Sequence, residues 1–168
     1  MWLELDQLFA RPSALRPFVT ELAGRVARHR VDTVCGPLNG GAFLAELIAS
    51  ELGVEFAFAE RIVSRRTGLF PIDYRVPATL RAALRGKRVA IVDDAISMGS
   101  AIRATVADLE VCKAKPVVIG ALLGIGPGAA EFAAARRVPF ERLADLPMRT
   151  WVPSACQLCA SGSAVADP

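Results

Sequence analysis

RVAIVDDAISMGSAIRATVADLE, residues 88–110, is the stretch from which the rest of the chain can be read. Val89 to Val92 are apolar at consecutive positions, as a strand covered on both faces must be. The run then meets two adjacent acids, Asp93 and Asp94, followed by a short Ser/Gly stretch, and from Ser100 a helical spacing begins. Ligands of parallel α/β sheets gather beyond the carboxyl ends of the strands, which is where this pair falls. The loop Ala95, Ile96, Ser97, Met98, Gly99, Ser100 and Ala101 leads into a helix N-terminus, whose free N–H groups and dipole attract phosphate. Gly99 permits close backbone approach, and Ser97 and Ser100 offer hydroxyls. Carboxylates accept hydrogen bonds from a sugar diol, so a ligand with hydroxyls next to a phosphate, such as a ribose 5-phosphate, satisfies both halves. The plainer reading is that the aspartates close the strand and cap the helix, although one cap needs one Asp rather than two.

On both sides of this stretch, strand and helix patterns alternate. Residues 13–29 place Leu15, Val19, Leu22 and Val26 at helical spacing with Ser13 as cap. Strand 31–36, helix 40–53 closed by Gly53, and a strand at VEFAFAE (54–60) follow. Arg61 to Pro77 holds four arginines and two prolines without a clear period and reads as a long loop. A brief helix at 79–84, strand 88–93, helix 100–112, strand 116–124, helix 127–137 and an extended piece at 138–146 complete the series. Parallel crossovers need connections of about helix length, so the pattern predicts an α/β fold, a parallel sheet flanked by helices.

With 168 residues and 53% apolar content, the chain is predicted to form one domain, 1–168, with residues 155–168 as a loose tail. Its charge of +3 arises from 20 basic and 17 acidic residues without a long basic block, which argues against a nucleic-acid face. The first residues lack a secretion-signal pattern, and VVIGALLGIGPGAA is too short to span a bilayer, so a cytoplasmic protein with reduced thiols and no membrane partner is expected. Cys156 and Cys159 form a C-x-x-C, which leaves open zinc binding, redox exchange or no role; for a structural zinc site it is only half, and Cys35, His29 or a second subunit would have to complete it. GIGPGA (124–129) fits a dinucleotide turn, but too little chain follows for the second half of that fold. His29, at the end of an arginine-rich helix, is expected at the surface.

VAIVDDAISMGSAIR resembles the phosphoribosyl pyrophosphate (PRPP) signature of the type I phosphoribosyltransferases, and more narrowly its orotate phosphoribosyltransferase version. Asp93, Asp94, Ile96, Gly99, Ala101, Ile102 and Arg103 match; Ser97 and Ser100 stand where that version has Thr, and Ala95 and Met98 are apolar-for-apolar departures. Upstream, VDTVCGPLNGGAFLAELIASELGVEFAF (31–58) is similar to the family's strand, pyrophosphate loop and helix, which implies that Leu38, Asn39 and Gly40 lend backbone groups to pyrophosphate. A signalling receiver domain also ends a strand on an acidic pair, but there it is the first strand and a lysine follows far downstream; here the pair comes late and no lysine follows Lys115.

The resemblance implies a type I phosphoribosyltransferase-like fold with a small N-terminal helical hood and a flexible catalytic loop. Within that loop Arg61 falls on the family's arginine and Arg65 on its second lysine, with Arg66 beside it, while Ile62 and Thr67 replace a lysine and a histidine. The implied reaction transfers 5-phosphoribosyl from PRPP to a nucleobase with loss of pyrophosphate. Asp93, Asp94 and Arg65 would be catalytic, and Mg²⁺ would be held mainly by PRPP rather than by a protein metal site. The loop reaches a neighbouring subunit's site in the family, which implies a homodimer. The family's orotate-contacting arginine has no counterpart in ALLGIGPG (121–128), so base recognition is left to Arg103, to a loop arginine, or to a base other than orotate. A non-catalytic PRPP or nucleotide sensor would keep the same pocket with less need for the arginines.

Overall fold

A computed structural model describes residues 5–63, 72–148, 151 and 153–162. In chain order the elements are α1 (Asp6–Phe9), α2 (Pro12–Ala27), β1 (Thr33–Pro37), α3 (Gly40–Leu52), β2 (Glu55–Val63), β3 (Ile72–Arg75), α4 (Ala78–Arg81), β4 (Arg88–Ile96), α5 (Ser100–Val111), β5 (Lys115–Ile125), α6 (Gly128–Ala135), β6 (Phe140–Leu146), a 3₁₀ turn (Pro153–Ala155) and α7 (Gln157–Ala160). The six strands form one sheet in the order β3-β2-β1-β4-β5-β6. All neighbours pair in parallel except β2 with β3.

Period-two alternation along the central strands builds two cores. Val89 and Ile91 of β4 join Cys35, Ile119 and Ala121 beneath Ile102, Val106 and Leu109 of α5 and Ala129 and Ala133 of α6. Ala90 and Val92 face the other way, with Val34 and Val118, against Leu15, Val19, Leu22 and Val26 of α2 and Leu44, Ala45 and Ile48 of α3. Burial on both faces is why these strands read as continuous apolar runs. The N-terminal segment adds Leu8 and Phe9 to the second core, and the Phe9 ring stands 6.2 Å from that of Phe43.

Four local expectations are corrected. Ser13 does not cap α2: Pro12 takes the first helical position, where its missing N–H costs nothing, and no side chain caps the helix. The stretch 61–77 is not all loop, because β2 runs on to Val63 and pairs antiparallel with β3, Arg61 opposite Tyr74. The helix expected at 79–84 is shortened to α4, with Leu84 buried behind it. Strand β4 continues past the aspartates to Ile96 because β5 is long enough to pair with it, Ala95 with Leu123 and Ile96 with Gly124. Residues 163–168 of the expected tail lie outside the described residues; the preceding ones form the 3₁₀ turn and α7. Among the described residues no helix is long and apolar enough to cross a membrane.

Candidate active site

The strand order reverses between β1 and β4: β2 follows on one side and β5 on the other. Such a reversal opens a crevice at the carboxyl ends of the two strands. Pairing between β1 and β4 stops at Cys35 and Ile91, whereas β4 stays paired to β5 up to Ile96. Asp93 and Asp94 therefore stand on the side of β4 that β1 has left.

The space is taken by the turn that leaves β1 and the first turn of α3, which approach the acids as closely as backbone can. A Cβ on Gly40 would lie 2.5 Å from Asp94 Oδ2, one on Gly41 would lie 2.7 Å from Asp93 Oδ1, and one on Gly36 would run into the Gly41 carbonyl. The glycines of GPLNGG are thus a packing requirement, and they bring the positive end of α3 to the carboxylates. Each carboxylate also accepts a backbone N–H: Asp93 Oδ1 from Asp94 at 3.1 Å, Asp94 Oδ1 from Ala95 at 2.8 Å. Neither caps α5, whose N-cap is Gly99 at φ 72° with no side-chain bond, so the capping alternative fails. Burial, and next the charge of Asp94, push the Asp93 carboxyl well above the ordinary carboxylate range.

Beyond the acids, Asp93 and Ala95 to Ile102 line a pocket of about 260 Å³. The Arg103 N–H donates to the Gly99 carbonyl at 2.8 Å to start α5. The N–H groups of Ser100 to Ile102 therefore have no acceptor within the helix. Gly99 is buried, Ser97 and Ser100 are half-buried and Met98 is exposed. The pocket thus sets a helix N-terminus with free N–H groups one residue step from a carboxylate pair, chemistry suited to an anion.

Leu38, Asn39 and Gly40 lie across the crevice, with the Leu38–Asn39 peptide cis. The hydroxyl of Tyr74, a residue the sequence reading passed over, donates to the Leu38 carbonyl oxygen at 3.2 Å. Its proton is held more tightly than an ordinary phenol's by burial and by the charge of Asp93, with Arg61 opposing. Tyr74, Arg61, Asp93 and Leu38 consequently share one region, and β2 and β3 lead from it toward the tip of their hairpin. Arg65 and Arg66 lie outside the described residues. Arg103 is turned toward α6: its Nε donates to the Met98 carbonyl oxygen at 3.1 Å and its guanidinium carbon sits 4.4 Å from the Phe132 ring centre.

Other sequence features fall elsewhere. His29 is half-buried rather than superficial, with Nε2 2.8 Å from Glu141 Oε1 near the start of β6, at the opposite end of the sheet. Among the described residues no three His, Cys, Asp or Glu side chains stand together to hold a metal, and the Cys159 side chain is outside them. GIGPGA bridges β5 and α6, and Gly128 packs on Ser97 and Met98 rather than opening a dinucleotide site.

The family model of the phosphoribosyl transferase domain matches residues 6–134. The chain belongs to that family. Phosphoribosyltransferases are pentosyl-transferring glycosyltransferases, and the curated relatives of this one include orotate phosphoribosyltransferases. That of Caldanaerobacter subterraneus is 28% identical over 99% of this chain and 81% of its own length; that of Thermotoga maritima is 28% identical over 99% and 82%. The fold is similar to that of adenine phosphoribosyl transferase from Trypanosoma brucei, TM-score 0.70 at 22% identity, over 84% of this chain and 68% of that one. It is also similar to that of orotate phosphoribosyltransferase from Aeropyrum pernix, TM-score 0.66 at 21% identity, over 86% and 78%.

Proposed function

We propose that this phosphoribosyltransferase moves 5-phosphoribosyl from PRPP to a nucleobase of the orotate or related pyrimidine class and releases pyrophosphate, with residues 1–168 as one unit. The observation that carries the reading is the carboxylate pair at the strand-order reversal, with glycine-closed α3 on one side and the phosphate cradle of α5 on the other. Three subsites in a row match the three parts of PRPP. Backbone of Leu38, Asn39 and Gly40 takes the pyrophosphate, Asp93 and Asp94 take the ribose hydroxyls, and Ala95 to Ala101 take the 5-phosphate.

No nucleophile on the protein is needed. As the bond to pyrophosphate lengthens, positive charge gathers on the sugar, where carboxylate character on Asp93 and Asp94 opposes it. Negative charge gathers on the leaving group, where guanidinium groups can neutralise it: Arg61 on β2 is one, and Arg65 and Arg66, which lie outside the described residues, are the others that the family resemblance implies. The donor set fits Mg²⁺ held mainly by PRPP oxygens and water, because among the described residues no third His, Cys, Asp or Glu joins the two carboxylates to make a protein cage. Bound so, the ion would neutralise the departing pyrophosphate.

For the base, the names of the curated relatives favour orotate, while the segment that resembles the family's orotate-contacting stretch differs from it. ALLGIGPG (121–128) contains no arginine, and the Arg103 guanidinium is engaged by the Met98 carbonyl oxygen and the Phe132 ring. The reading is therefore an orotate-type transferase with altered base recognition, acting as a cytoplasmic homodimer. Pyrophosphate release should be measured with PRPP, Mg²⁺ and a panel of bases, beside an Asp93→Asn, Asp94→Asn variant. Turnover with one base by the parent alone supports the transferase. PRPP binding without turnover on any base replaces it with a sensor, and absence of PRPP binding ends both readings.

A further inference from the structure

The segment GIGPGA found no role in nucleotide binding, yet its end is held against the phosphate cradle. A Cβ on Gly128 would lie 3.0 Å from Met98 Cα, 3.1 Å from the Ser97 carbonyl oxygen and 3.2 Å from Met98 Sδ, so α6 begins in direct contact with the turn at Ser97 and Met98. Arg103, one turn into α5, closes the same junction. Its Nε donates to the Met98 carbonyl oxygen at 3.1 Å and its Nη2 to the Gly128 carbonyl oxygen at 3.3 Å. The guanidinium lies over the Phe132 ring of α6, 4.4 Å from its centre. One planar fork thus spans two carbonyls on different elements while stacked on an aromatic face, a combination open to arginine and closed to lysine.

We propose that Arg103, together with Gly128, is a positioning residue that clamps the phosphate cradle to α6 and so sets its affinity for the phosphate end of a phosphorylated sugar. Across a trans peptide the carbonyl and the following N–H point in opposite directions. Fixing the Met98 carbonyl toward Arg103 therefore fixes the Gly99 N–H on the other side of the turn, away from the clamp. A cradle whose donors are held before the ligand arrives loses less on binding than one that must order itself. The inference rests on the transferase reading, since it presumes that this pocket takes a sugar phosphate.

The test is calorimetric titration of the parent, Arg103→Ala, Arg103→Lys and Gly128→Ala proteins with ribose 5-phosphate and, separately, with pyrophosphate, alongside thermal melts. Loss of the clamp should weaken ribose 5-phosphate roughly tenfold in Arg103→Ala while pyrophosphate changes by less than about twofold. Arg103→Lys should recover part of the loss, because an ammonium can hold one carbonyl. Gly128→Ala should reproduce the selective loss with Arg103 intact. Parent-like ribose 5-phosphate binding by Arg103→Ala, or equal loss of both ligands together with a lowered melting temperature, overturns the proposal. A parent that binds pyrophosphate and not ribose 5-phosphate also overturns it, and a parent that binds neither removes the transferase reading on which it stands.

Discussion

The Tyr74 hydroxyl and the Leu38 carbonyl oxygen, 3.2 Å apart, join the return arm of the arginine-bearing hairpin to the glycine turn after β1. Tyr74 lies opposite Arg61 in the hairpin ladder, so the same bond also fixes the root of the arm that carries the arginine. Burial and Asp93 hold the phenol's proton more tightly than an ordinary phenol's, which keeps it a donor at neutral pH. The turn offering Leu38, Asn39 and Gly40 and the hairpin are therefore expected to act as one unit toward pyrophosphate.

Tyr74→Phe deletes that donor and leaves the ring packed. A neutral hydrogen bond contributes about 1 kcal/mol, so pyrophosphate should bind about fivefold more weakly. Ribose 5-phosphate, which the other side of the crevice would hold, should be unaffected. Titration with each ligand separates the two, and an equal change in both would show that Tyr74 supports the whole site rather than the turn.

What could be read from residue order was what depends on short-range pattern. The β4–α5 stretch has a run apolar on both faces, an acidic pair and a glycine, each with one economical meaning, and the turn before α3 has glycines after a strand. The β2–β3 hairpin is not legible, because Arg61 puts charge on the end of β2, Asp73 and Arg75 put it on the short edge strand β3, and prolines stand on both sides of β3, the composition of a loop. Its existence depends on pairing across the sequence rather than on local preference. The direction of Arg103 was illegible for the same reason, since Gly128 and Phe132 are brought to it by the β5–α6 crossover. The reach of β4 beyond Asp94 was set by the length of its neighbour β5.

Two glycines in helices should respond in opposite ways to alanine. At Gly24, inside α2 and exposed, a Cβ meets nothing within 4 Å, and Gly24→Ala should raise stability by about 0.5–1 kcal/mol through helix propensity. At Gly40 the new methyl would be driven onto the Asp94 carboxylate, and Gly40→Ala should cost about 1–3 kcal/mol and weaken PRPP binding. Denaturant unfolding of both variants checks the pair; a neutral Gly40→Ala would mean that the α3 start and the acid are not held together in solution.

Asp93 makes stability depend on pH. Its carboxyl holds the proton more tightly folded than unfolded, because burial and Asp94 disfavour its charge. Between the unfolded and folded values the native state binds more protons, so stability falls as pH rises through that window and is flat above it. Asp93→Asn removes the penalty while an amide oxygen can still accept the Asp94 N–H. The variant should therefore be more stable than the parent at neutral pH, and the gap should close on acidification toward the ordinary carboxylate range. Urea midpoints across pH measure this, and a parent that gains stability with rising pH through that window would contradict the burial of a charged Asp93. A gain in stability with a loss of turnover would mark the acid as kept for chemistry rather than for folding.

Asp108 anchors the hairpin from the far side. Its Oδ2 accepts from the Val76 N–H at 2.8 Å and from Arg81 Nη1 at 2.6 Å, and Arg81 also reaches the Val76 carbonyl oxygen at 3.3 Å. The carboxylate is mostly covered, so its removal leaves a backbone donor and a guanidinium short of a partner, and Asp108→Ala should cost about 2 kcal/mol. Asp108→Asn can still accept the Val76 N–H and should recover part of this, losing only the charge on the Arg81 contact. Val76 follows β3 directly, so the loss should also reach Tyr74 and through it Leu38. Amide hydrogen exchange is predicted to quicken across β3 in Asp108→Ala, while β4 and β5 keep parent-like protection. Unchanged exchange in β3 would show that pairing with β2 alone holds the hairpin, and that α5 does not contribute to its placement.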